Sequence, residues 1–159
     1  MISQRGSEMD NLTLEAVDIR SADAVRMVAR LDEDLARRYG EAPSEFTAAN
    51  ALADHMTFLV GYLGGRPVAC GAFRPMDPGA AEIKRMFVEP DLRGRGIARR
   101  LLAELEERAR RAGYSLARLE TGVRQAEAIR LYEAAGYRRI ENYGIYAGNP
   151  DSVCFEKAL

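Results

Sequence analysis

The sequence predicts a single mixed α/β domain, a sheet of about seven strands with about four helices packed on its faces. Three observations carry this expectation. Apolar residues alternate with polar ones, or run together in short stretches, at seven places along the chain. Helical spacing of apolar residues appears in separate segments between those places. The two periods interleave in the order β-α-α-β-β-β-α-β-α-β-β, and a length of 159 residues suits one core.

Residues 1–10 show no periodicity and are expected to be a flexible N-terminus, which leaves 11–159 as the folded domain. Leu12 to Ile19 alternates as a first strand. Ser21 caps a helix with Ala24, Val25, Val28, Leu31 and Leu35 on its apolar face, and Gly40 ends it. Pro43-Ser44-Glu45 opens a second helix running to about His55. Thr57–Leu63 and Pro67–Phe73 flank Gly64-Gly65-Arg66, a hairpin signal. A loop from Pro75 to Gly79 leads into a strand from Ala81 to Val88.

Ile97 to Ala112 is the strongest helix. Its buried stripe is Leu101, Leu102, Leu105 and Ala109, and Glu104–Arg108, Glu106–Arg110 and Glu107–Arg111 are spaced as i,i+4 pairs on the wet side. Gly113 stops it. A strand from Tyr114 to Thr121, a helix from Gln125 to Ala135 and strands at Tyr137–Asn142 and Ser152–Lys157 complete the chain.

Composition narrows the function. The 23 Lys and Arg nearly balance 24 Asp and Glu, for a net charge of −1, so a dedicated nucleic-acid binder is not expected. No apolar run approaches the roughly 20 residues of a spanning helix, and no membrane role is expected. The N-terminal stretch has Arg5 but no apolar core behind it, unlike a secretory signal, so a cytoplasmic location is expected. Cys70 and Cys154 lie in apolar strands and read as buried, reduced thiols. With one histidine, His55, and no CxxC, no metal site is expected.

The stretch Met86-Phe87-Val88-Glu89-Pro90-Asp91-Leu92-Arg93-Gly94-Arg95-Gly96-Ile97-Ala98 carries the most chemistry. A strand enters a short turn, then an Arg/Gly loop, then the start of the strongest helix. Unpaired N–H groups and the positive end of the helix dipole form an anion site there. Gly94 and Gly96 allow a pyrophosphate to approach the backbone, and Arg93 and Arg95 add charge. A tight turn with an ordinary helix start would use the same residues. A dinucleotide fingerprint fits poorly, since Arg99 stands where a third glycine belongs, and no Gly-Lys-Ser/Thr follows for a P-loop.

Arg93-x-x-Gly96-x-Ala98, after a strand ending in Val88-x-Pro90, resembles the acetyl-CoA signature of the GNAT superfamily of N-acyltransferases. A second block, Leu119-Glu120-Thr121-Gly122, Gln125, Ala128-Ile129, Leu131-Tyr132-Glu133 and Gly136-Tyr137, is similar to the family's second CoA-contacting strand and helix. Gln125 departs from the Asn that many members carry. The resemblance implies a mostly antiparallel sheet with acetyl-CoA between splayed fourth and fifth strands. Backbone groups of Met86, Phe87 and Val88 would meet the pantetheine arm and thioester. Arg93, Gly94, Arg95, Gly96, Ile97 and Ala98 would hold the pyrophosphate, with Gln125 and Ala128 as further cofactor contacts.

The implied reaction is transfer of an acetyl group to a primary amine by direct attack in a ternary complex. It needs a deprotonated amine, a stabilised oxyanion and a proton for the departing thiolate. By resemblance Tyr132 is the general acid and Glu82 the general base, with Glu120 a second candidate and a water relay or a structural ion pair as alternatives for Glu82. Asp32-Glu33-Asp34 reads as a solvated helix face. Tyr62, Tyr143 and Tyr146 are placed to line an acceptor site, with Arg74, Lys84 and Arg85 able to meet an acid group. A small, amino-acid-like amine is therefore the expected acceptor. A protein N-terminus or lysine and a non-catalytic acyl-CoA-binding regulator are the alternatives, and a homodimer stays open.

Overall fold

The computed structural model describes residues 11–40, 51, 53, 55–76 and 79–159. In chain order the elements are β1 (Leu12–Val17), α1 (Ala22–Tyr39), β2 (Thr57–Leu63), β3 (Arg66–Pro75), β4 (Ala80–Val88), α2 (Ile97–Arg111), β5 (Leu116–Gly122), α3 (Ala126–Ala134), β6 (Arg138–Ile140) and β7 (Ser152–Ala158). Single 3₁₀ turns occur at Pro90–Leu92 and Gly144–Tyr146. The described residues thus hold three α-helices where about four are expected. The helix expected from Pro43 lies mostly outside the described residues, and its end at His55 is an exposed turn.

All seven strands join one sheet in the order β1-β2-β3-β4-β5-β7-β6. Every neighbouring pair is antiparallel except β4 and β5. A parallel pair needs a long crossover, and α2 supplies it. The sheet is covered on both sides, which explains why β2 and the middle of β3 are nearly continuous apolar runs. Phe58 and Val60 join Ala24, Met27 and Leu31 of α1, whereas Leu59 between them joins Leu101, Leu102 and Leu105 of α2.

Two details of the helices differ from the sequence expectation. The buried face of α1 runs through Ala24, Met27 and Leu31, and Val25 is 57% exposed. Spacing of three and four residues from Ala24 reaches Met27 and Leu31 but not Val25. On α2, Glu106 turns from the solvent stripe to accept from Lys157 of β7 at 2.8 Å, so Arg110 pairs with Glu107 instead. The pairs Glu104–Arg108 and Glu107–Arg111 form as expected.

Two irregularities of β4 shape the centre of the sheet. Opposite β3, Cys70 faces Phe87 and Ala72 faces Lys84, so the single residue Gly71 lies across from both Arg85 and Met86. Arg85 has φ +61 and is the bulged residue. A bulge of this kind bends its strand and increases its twist. Opposite β5, pairing covers only Ala80–Glu82 with Leu116–Arg118, while β5 stays registered with β7 along its whole length, Leu116 to Gly122. Past Glu82 the two strands part.

Gly71 is where the bulge presses on α2. A Cβ there would lie 2.7 Å from Met86 Sδ and 2.9 Å from Leu105 Cδ1. Gly71→Val is expected to destabilise the fold by about 1–3 kcal/mol through overpacking, read as a lower urea or thermal midpoint. An unchanged midpoint would show that the bulge and α2 yield more freely than their packing implies.

Candidate active site

Where β4 and β5 separate, a cleft of about 210 Å³ opens. Its walls are Met86, Phe87 and Val88 of β4, Arg93 and Ala98 at the entry to α2, and Gln125, Ala128 and Tyr132 at α3. Leu31, Asp34 and Leu35 of α1 close the remaining side. A second cavity of about 140 Å³ adjoins it, with Lys84, Arg85, Glu120, Thr121 and Tyr146 in its wall. Met86, Gln125 and Tyr132 line both. Most of the expected cofactor residues are therefore brought together. Gly94, Arg95 and Gly96 lie in the exposed loop beside the cleft, and Ile97 is buried in the core beneath the helix start.

The loop is shaped as an anion cradle. Gly94 and Gly96 have φ of +77 and +85, backbone that L side chains rarely adopt, and open space where a Cβ would stand. Gly96 is the N-cap of α2 and offers no side-chain cap, so the first-turn N–H donors of a four-turn helix face outward at its positive end. These features fit a pyrophosphate.

Arg93 is less free than its place in the motif implies. Its Nε donates to the Val88 carbonyl at 3.0 Å, a terminal nitrogen donates to Asp34 at 2.9 Å, and the guanidinium lies 5.7 Å from the Phe87 ring centroid. Asp34 is buried, unlike the exposed Asp32 and Glu33, which corrects the solvated-face reading of that cluster. Burial pushes its carboxyl pKa up, but hydrogen bonds from Arg93 and Arg37 outweigh this and leave it below the usual value. The signal was present in the sequence, since position 34 continues the 27–31 stripe of α1. Arg30 adds a second tether from α1, donating twice to Glu89 at the end of β4, at 3.0 and 2.8 Å.

Tyr132 is buried, and its hydroxyl makes no hydrogen bond to another described residue. The ring is held edge-on to Tyr137 at 5.8 Å. Burial, with the nearby Glu120, raises the phenol pKa, so the proton is retained at neutral pH. The two carboxylates differ. Glu82 is buried where the strands still pair; it accepts from Arg74 Nε and from Tyr143, both at 2.7 Å, and Lys84 stands 3.8 Å away. It lines neither cavity. Glu120 lines the second cavity and accepts from the Ser152 hydroxyl at 2.9 Å. Burial raises its pKa above the usual carboxylate value, against the pull of Ser152 and Lys84.

Of the expected acceptor residues, Tyr146, Lys84 and Arg85 reach the second cavity. Arg74 and Tyr143 are taken up by Glu82, and Tyr62 donates to Asp23 on α1 at 2.7 Å, lining neither cavity. Cys70 and Cys154 are free and buried. Burial pushes the Cys70 pKa to about 12 and raises that of Cys154, so neither is a ready thiolate.

Comparison with known proteins agrees with this geometry. The sequence profile of the acetyltransferase (GNAT) family matches residues 24–137. An IAA acetyltransferase of Azospirillum brasilense is 37% identical over 153 residues, covering 95% of this chain and all of that protein. A Klebsiella pneumoniae structure described as an acyl-CoA N-acyltransferase superposes with a TM-score of 0.77 at 30% identity, over 93% of this chain and 97% of its own. A GNAT acetyltransferase of Elizabethkingia anophelis, solved with acetyl-CoA bound, shares the fold at a TM-score of 0.74 and 16% identity, over 94% and 99% of the two chains. A strand that leaves its parallel neighbour beside an open helix N-terminus, matched by profile and by full-length relatives, makes this chain a member of the GNAT family, an acetyl-CoA-dependent N-acetyltransferase.

Proposed function

We propose that the protein transfers the acetyl group of acetyl-CoA to a small primary amine by direct attack within a ternary complex. The observation that carries this reading is the adjacency of the two cavities, which share Met86, Gln125 and Tyr132 in their walls. One cavity reaches Arg93 and Ala98 at the edges of the anion cradle, and the other is walled by the polar side chains of Lys84, Arg85, Glu120 and Tyr146.

Bound acetyl-CoA supplies an activated thioester whose carbonyl carbon accepts the amine. The loop Arg93–Ala98 binds the pyrophosphate through main-chain N–H groups, and the main chain of Met86–Val88, freed from β5, pairs with the pantetheine arm and polarises the thioester carbonyl. Arg93, tied to Val88 and Asp34, braces this loop against the strand end and α1. Glu120 takes the proton that the amine sheds as the new C–N bond forms. A carboxylate with a raised pKa is better matched to that task than one held by two close donors, so Glu82 orients Arg74 and Tyr143 instead. When the C–S bond breaks, Tyr132 gives its proton to the sulfur. Neither buried thiol is needed as a nucleophile.

Thiol release from acetyl-CoA, followed with a panel of small primary amines and with short peptides, tests the reading. Release with small amines supports it. Release with peptides alone would move the acceptor to a protein terminus or lysine.

Tyr132→Phe keeps the ring and its packing, so acetyl-CoA affinity and thermal midpoint are expected to stay close to those of the unmodified protein. Turnover is expected to fall roughly ten- to ten-thousand-fold, in kcat above all. Undiminished turnover in the folded variant would remove the general-acid role.

Gly96→Asp adds a side chain at φ +85 and a negative charge at the cradle. Acetyl-CoA binding measured by calorimetry is expected to weaken by a few kcal/mol, on the order of a lost charge-assisted contact plus repulsion. Equal affinity would place the pyrophosphate elsewhere.

Glu120 must be ionised to accept a proton, and its pKa is raised. The kcat/KM is therefore expected to rise with pH through a value above the usual carboxylate range. Glu120→Gln should abolish that limb and lower the plateau by roughly 10²–10⁴. If Glu82→Gln removes the limb and Glu120→Gln does not, the base is Glu82.

A further inference from the structure

The bulge in β4 brings two cationic residues to the second cavity. Adjacent residues in a regular strand face opposite sides of the sheet. Here Lys84 and the bulged Arg85 both line the same cavity. The Arg85 side chain is 8% exposed, and a terminal nitrogen donates to Asp32 at 2.9 Å, a residue 60% exposed. Its Nε is buried and has no hydrogen-bond partner among the described residues. An unpaired, buried guanidinium N–H is unfavourable, and such a donor points to an acceptor that arrives with a ligand. The exposed partner Asp32 binds Arg85 only weakly by comparison, so a ligand anion can compete for it.

Lys84 stands beside Arg85 with its ammonium donating to the Tyr146 hydroxyl at 2.9 Å and 3.8 Å from Glu82. Burial lowers its pKa, against the pull of Glu82, and an anion next to it would favour the charged form again. The same cavity carries the carboxylate of Glu120 and the phenol of Tyr132. Its volume of about 140 Å³ suits a small molecule.

Building on the acetyl-transfer reading above, we infer that the acceptor is a zwitterionic small amine, with its carboxylate or phosphonate bound at Lys84 and Arg85 and its amino group at Glu120 and Tyr132. One end of the molecule is then read by cations and the other by the group that deprotonates it. An amine without an anion would offer no acceptor to Lys84 and Arg85.

Matched pairs test this: alanine with ethylamine, phenylalanine with phenethylamine, and aminomethylphosphonate with methylamine. Thiol release from acetyl-CoA gives kcat/KM for each, referred to its free-amine fraction because the members of a pair differ in basicity. The anionic member of at least one pair is expected to exceed its partner by roughly tenfold to a hundredfold, the worth of a charge-assisted hydrogen bond. The carboxylate and phosphonate arms tell which anion is preferred. Arg85→Gln should bring the ratio towards one and Arg85→Lys should keep part of it, with folding checked by acetyl-CoA calorimetry. Ratios of one or below in every pair of the unmodified protein would overturn the inference and leave acetyl transfer to small amines standing. A preference that survives both Arg85→Gln and Lys84→Met would overturn the assignment of the anion to the bulge. Release with none of the amines would overturn the acetyl-transfer reading and this inference together.

Discussion

β4 and β5 share a ladder only at Ala80–Glu82 and Leu116–Arg118, and the early end of that ladder governs the rest of the molecule. Two neighbours pull the strands in different directions. β5 keeps full register with β7, while the bulge at Arg85 bends β4 against β3. The main-chain groups left without a strand partner would be unfavourable in a closed core. They are tolerated here because they border a cleft, where a ligand or solvent can meet them.

That opening must be kept from collapsing, and α1 does much of this. It packs Ala24, Met27 and Leu31 on one face of the sheet and places charged side chains along the cleft's rim. Arg30 grips Glu89, Asp34 grips Arg93, and Asp32 meets Arg85. Pairs between exposed groups contribute little, but Asp34 is buried, and a buried carboxylate without its guanidinium partners would be strongly unfavourable. The helix, the end of β4 and the loop into α2 are thereby tied together beside both cavities.

The electrostatics of the two carboxylates follow from the same divergence. Glu82 sits where the strands still pair and is enclosed by Arg74, Tyr143 and Lys84. Glu120 lies past the parting, against the cavity, with the Ser152 hydroxyl as its donor. Two residues of the same chemistry receive different environments a few positions apart along neighbouring strands.

Local chemistry was enough to determine much of this protein. The alternation of β1, the glycine turn at Gly64–Gly65, the stripe of α2 and the Arg/Gly loop at its start each depend on neighbours in sequence, and each forms in the expected place. The resemblance carried by Arg93–Ala98 and by the Leu119–Tyr137 block led to the family for the same reason, because both motifs are short and contiguous. Tertiary structure decided the features that depend on which elements meet. Nothing near Glu82 in the chain announces that Arg74 and Tyr143 will occupy it, or that Glu120 will be left to the cavity. Asp34 looked solvated until α1 was laid across Arg93, and Val25 looked buried until the face of α1 was set by contact with the sheet. The bulge at Arg85 is the clearest case. Alternation alone puts Lys84 and Arg85 on opposite faces, and only the register against β3, fixed by packing around Gly71, places both cations on one wall.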